Sequence, residues 1–121
     1  MKNAVHDGKT MPWTNGTGGT VAGGTLVKIA NTLGVLINTT PNGGVGTLAI
    51  EGVFSGMPKV SAAVFAAGEK LLWDVSASKF DDSAATPASG DVMGAAVAFV
   101  AGANDETTCT IKLTPGNSTV T

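Results

Sequence analysis

Seventeen glycines are scattered along this 121-residue chain without a repeating period, and they cut it into short apolar stretches. A strict spacing of three would point to a collagen helix; an irregular one points to turns. Thr and Val are abundant between the glycines. Such β-branched side chains lose rotamer freedom in a helix and pack well on a pleated surface. The chain therefore reads as many short strands joined by tight turns, a mainly β protein of single-domain size.

The alternation of apolar and polar residues places the strands. Residues 26–30 and 33–38 predict a pair across Asn31-Thr32. A turn follows at Pro41-Asn42-Gly43-Gly44, because proline presets one dihedral and glycine accepts the left-handed region. In 45–51, Leu48 and Ile50 fall on one face, with Val45, Thr47, Ala49 and Glu51 on the other. Gly52 predicts a bulge or bend before Val53 and Phe54. Residues 70–74, 92–99 and 107–113 give three more strands, the last with Cys109, Ile111 and Leu113 inward. One segment departs from this pattern. Residues 61–67 read as a short helix, capped by Ser61 and ended by Gly68. The expected fold is a small single-domain β-barrel or β-sandwich with that one helix. Residues 1–24 read as an extended N-terminal arm, 25–113 as the β domain, and 114–121 as a C-terminal tail with no anchor of its own.

Charge and cysteine content narrow the function. The net charge is −2, and the seven basic residues are all Lys, well separated between Lys2 and Lys112. They read as solvated surface charges, which argues against a nucleic-acid partner. Cys109 is the sole cysteine, so neither an intrachain disulfide nor a cysteine-based zinc site is expected. The first 25 residues lack a signal-like apolar core, and the longest apolar run, near 94–101, is too short to span a bilayer. A soluble protein made in the cytosol, with no membrane partner, is expected.

Catalytic motifs are weak. Gly8-Lys9-Thr10 matches the end of a phosphate-binding loop, but the required earlier glycine is Asn3, and Pro12 follows at once. His6, the single histidine, sits beside Asp7, where neighbours in sequence rarely orient each other. Asp81, Asp82 and Asp91 lack the spacing of a calcium loop. No catalytic residue, metal site or cofactor is expected. Trp13 stands out as a large side chain in a polar segment. It is read either as an intermolecular anchor, since interfaces are enriched in Trp, or as a residue folded back on its own domain.

The order of short motifs resembles a known family. It runs Asp7-Gly8-Lys9-Thr10, Val21-Ala22-Gly23-Gly24-Thr25, Glu51-Gly52-Val53-Phe54 with Pro58-Lys59, Gly68 with Leu72-Trp73-Asp74, Gly94-Ala95-Ala96, and Ile111-Lys112-Leu113. This resembles the capsid cement, or head decoration, proteins of bacteriophages, some of which carry a recombinase label that the failed phosphate loop does not support. The resemblance implies a structural, non-enzymatic virion protein. It implies a place on the outer surface of the head, the major capsid protein as partner, and self-association as a homotrimer. His6, Lys9, Met11 and Trp13 are the expected capsid or intersubunit contacts. The alternatives are another small phage structural protein of tail or fibre and, third, a small-ligand-binding β-barrel.

Overall fold

The computed structural model describes His6 and residues 8–121. Ten strands and no helix occur among them: β1 (Thr10–Thr14), β2 (Leu26–Ile29), β3 (Thr32–Leu36), β4 (Val45–Ala49), β5 (Gly52–Pro58), β6 (Lys70–Asp74), β7 (Lys79–Asp81), β8 (Val92–Ala98), β9 (Thr108–Leu113) and β10 (Thr119–Val120). They make two antiparallel sheets. The first has the order β1-β4-β3-β2. The second runs β5-β9-β8-β6-β7, with β10 also paired to β8.

Each sheet is built from one continuous stretch of chain, and the crossing between them is at Ile50-Glu51. Gly52, at φ +120°, takes the bend there. The turn before β4 is also glycine-dependent. Gly44 N–H donates to Pro41 O at 2.9 Å with Gly43 at φ +80°, the left-handed value that the third position of a type II turn requires.

Leu26, Leu33 and Val35 carry the first sheet into a core shared with Met57, Phe65, Leu71, Trp73, Phe80, Val92, Ile111 and Leu113 of the second half. Trp73 and Phe80 meet edge to face at 4.9 Å between ring centroids. Each such buried side chain contributes roughly 1.5–3 kcal/mol, which is what holds the two sheets on one another.

Three expectations are corrected. The first is the helix: 61–67 is irregular. A seven-residue helix is too short to sustain itself in water, and its backbone groups find better partners. Ser61 O accepts from Asp105 N–H at 2.8 Å, and Phe65 exchanges hydrogen bonds with Gly102 at 3.1 and 2.9 Å. The second is the barrel: the sheets do not close. The end of β5 meets β7 only at a single bridge between Lys59 and Phe80. With β7 just three residues long, no ladder forms there.

The third is the tail. After Leu113 the chain swings out and returns as β10, pairing Thr119 with Met93 and Val120 with Val92. Thr121 N–H donates to Asp91 O at 3.0 Å, and Ser118 Oγ donates to Asn31 O, tying the tail to the first sheet. Gly94 makes room for the excursion. Its φ is +85°, and a Cβ there would lie 2.6 Å from Asn117 O. The segment read as an arm also takes part in a sheet. Thr10–Thr14 is β1, the edge strand on β4.

Candidate functional site

The four sequence-selected residues fall on or just before β1. His6 is exposed, and its Nδ1 accepts Gly8 N–H at 2.8 Å. Lys9 is exposed, and its carbonyl accepts Ile50 N–H at 3.0 Å, opening the β1–β4 ladder. Met11 and Trp13 pair with Leu48 and Gly46 and are half-buried. Strand alternation puts Met11 and Trp13 on one face of β1 and Thr10, Pro12 and Thr14 on the other. Trp13 walls a shallow groove of about 440 Å³ with Val21, Val27 and the loop at Gly16-Thr17. Pro12 stands on an edge strand, where its missing N–H discourages further strand addition.

The loop that follows β1 is organised by Asn15, which is fully buried. Its Nδ2 donates to Gly19 O at 2.8 Å and Thr40 O at 2.9 Å. Its Oδ1 accepts the Thr17 N–H at 3.0 Å and hydroxyl at 2.7 Å. An apolar residue here would leave the loop's carbonyls unpaired.

Lys59 was expected to be a solvated charge and is instead 0% exposed. Its ammonium donates to Ala103 O at 2.9 Å, Val60 O at 3.0 Å, Glu106 O at 3.2 Å and Ser61 O at 3.3 Å. It also lies 5.7 Å from the centroid of the Phe65 ring, within cation–π range. Gly102 packs flat on that ring, since a Cβ there would meet it at 2.5 Å. Pro58 and the Lys59–Phe80 bridge fix where the side chain enters. The sequence signal was present but easily missed: Lys59 is the only charge in residues 52–68.

The titratable groups serve structure. Asp91, 2% exposed, accepts Val75 N–H at 3.1 Å and Ala88 N–H at 2.9 Å, which fits a loop anchor rather than a calcium ligand. Glu69 is held below its ordinary pKa by the Ser83 N–H and hydroxyl and by the Ala66 N–H. Asp74 is lowered by the Ser76 hydroxyl and the Ala77 N–H. Burial pushes the Cys109 thiol up to about 11, so it stays protonated and unreactive at neutral pH. Among the described residues, no three His, Cys, Asp or Glu side chains converge on a point that would hold a metal. No helix among them is long and apolar enough to cross a membrane.

Among the described residues, six large apolar side chains also face outward. Val53, Val64, Phe99 and Val100 are 44%, 58%, 54% and 55% exposed on the second sheet and its loops, with Ile37 and Val45 exposed on the first. A family model described as phage cement protein matches residues 5–113. No curated protein matches the chain, and no solved structure does.

Proposed function

This chain belongs to the phage cement protein family, and from that premise we propose that it binds the outer surface of a phage head and reinforces contacts between major capsid subunits. The observation that carries the proposal is the extent of the match. Residues 5–113 take in both sheets, from β1 through β9. The protein is a structural component that works through surface rather than turnover. It is made in the host cytoplasm and joins the head from outside as a homotrimer.

The physics asks little of each copy. A specific interface buries about 1,600 Å² in total. Three linked subunits engage together, so modest contacts add to a large residence time. Capsid contact is assigned to the β1 edge, through His6, Lys9, Met11 and Trp13. Lys9 and Trp13 supply a charge and a large ring at one end of the first sheet.

The test is reconstitution. Purified heads lacking the protein are mixed with it, sedimented, and then heated. Bound protein in the head fraction and a higher temperature of head disruption are expected; heads that sediment bare would end the proposal. Trp13→Ala and Lys9→Ala should each lower occupancy at least severalfold without changing the far-UV circular dichroism. Point variants are needed because deleting residues 1–14 would strip β4 of its edge partner.

A further inference from the structure

Two of the chain's asparagines, Asn15 and Asn42, are each followed by glycine. Such a pair is the sequence most prone to lose ammonia. Glycine puts no side chain in the way when its backbone nitrogen closes on the amide carbon before it. The two pairs sit against each other. Asn15 N–H donates to Gly44 O at 2.9 Å, and Asn15 O accepts Gly43 N–H at 2.7 Å, so their loops are clasped backbone to backbone. Asn42 Oδ1 completes the clasp by accepting Gly18 N–H at 3.0 Å.

The two amides differ in freedom. That of Asn15 is fully buried and makes four hydrogen bonds, and turning its carbon toward Gly16 N would break them together. Asn42 is exposed, and among the described residues only Gly18 bonds its amide, at Oδ1. That contact aims a donor at the oxygen where negative charge gathers when the amide carbon is attacked. The space beside Gly43 is open as well, since a Cβ built there would meet nothing within 4 Å.

We propose that Asn42 is a site of spontaneous deamidation in the folded protein, and that Asn15, with the same following residue, is protected from it. Base removes the Gly43 amide proton, and the Gly43 nitrogen bonds to Asn42 Cγ. The Cγ–Nδ2 bond breaks, and Nδ2 leaves as ammonia with the proton the base had taken. Water then opens the five-membered succinimide at either carbonyl, giving aspartate or isoaspartate without any change of oxidation state. Gly43 N–H must first part from Asn15 O, so local opening of the Asn15 loop sets how often the reaction starts. Isoaspartate adds a carbon to the main chain inside the turn closed by Gly44 N–H and Pro41 O. That turn leads into β4, whose Gly46 pairs with Trp13, so the converted protein is altered at the Trp13 end of the first sheet.

The experiment ages the full chain in warm, mildly alkaline buffer and weighs its proteolytic peptides over several weeks. The Asn42 peptide should gain the mass of an amide-to-acid exchange and split into aspartate and isoaspartate forms. Its conversion should run about tenfold or more ahead of the Asn15 peptide. In urea the two should convert at similar rates; a urea ratio equal to the folded one would overturn the inference, because the difference would then belong to the sequence. Asn15→Ala should speed conversion at Asn42 severalfold by freeing Gly43 N–H. Thr17→Ala, which removes a hydroxyl from Asn15 Oδ1, is the milder probe if that variant unfolds. An Asn42 that stays intact in the folded chain while the urea-unfolded chain converts would sink the proposal, as would folded variants in which Asn42 ages like wild type.

Discussion

Asn15 closes the glycine-rich loop of the first sheet, and Lys59 closes the alanine-rich loop pair of the second. Both are fully buried, and both hold irregular backbone where no apolar side chain could. Their chemistry differs. The Asn15 amide gives two hydrogen bonds and takes two, so it suits a loop that presents donors and acceptors together. Lys59 only donates, and the loops around it turn four carbonyls inward. A neutral amide is cheap to bury. An ammonium loses several kcal/mol of hydration and must recover it from those carbonyls. Where a short chain cannot fill a volume with core, one polar side chain of matching valence can organise it.

The sharpest way to break this comparison is Lys59→Met. It keeps an unbranched apolar stem one atom shorter and removes the donor, leaving the four carbonyls short of partners. A loss of roughly 3–5 kcal/mol in urea-unfolding stability is expected; an unchanged midpoint would mean the ammonium holds nothing. Asn15→Ala should cost less, about 2 kcal/mol, since no charge is involved. Its effect should be local, seen as faster amide exchange at Val21 and Gly43 with β6 and β8 unchanged. Gly94→Ala tests a purely steric support of the second sheet. The crowding against Asn117 O and the positive φ should cost about 1–2 kcal/mol and release β10, read as lost amide protection at Thr121.

The smallest effect is set by pH and should also divide the sheets. Glu69 and Asp74 both belong to the second half, and both have folded pKa values below their ordinary 4.5 and 3.8. Their stabilisation is complete above those ordinary values and is lost as pH falls through the lowered ones. Both groups are solvated, so the loss is small. Between pH 5 and 3, amide protection relative to the intrinsic exchange rate should fall first at Ser76, Ala77 and Ser83, while the loop around Asn15 should not respond.

Most strands were legible because apolar alternation survives in 45–51 and 107–113 and because glycines mark the turns. Gly43 takes a positive φ in the expected turn, and Gly52 takes one at the expected bend, although the register shift of β5 comes later, between Phe54 and Met57. Three features were not legible. The 61–67 segment has helical composition, but its fate depends on Lys59 and Gly102, and Gly102 lies far along the chain. The tail carries no apolar pattern long enough to announce β10, whose two residues pair only because Gly94 leaves space. Trp13 looked isolated in sequence because its neighbours across the ladder, Gly46 and Leu48, come more than thirty residues later. Of the four residues assigned to capsid contact, Met11 and Trp13 share one face of β1; the two-residue spacing was there to read, but the pairing with β4 that makes it a sheet face was not.

The single passage from one sheet to the other has a consequence for synthesis. Every strand of the first sheet lies within residues 10–49, so its hydrogen bonding can be complete soon after that segment leaves the ribosome. The second sheet cannot close until Leu113 is available to pair with Gly52. Until then Leu26, Leu33 and Val35 wait without their cover. A nascent chain halted once residue 60 has left the ribosome should therefore hold a protease-resistant but sticky N-terminal half, and the slow step of folding should be the late arrival of β9.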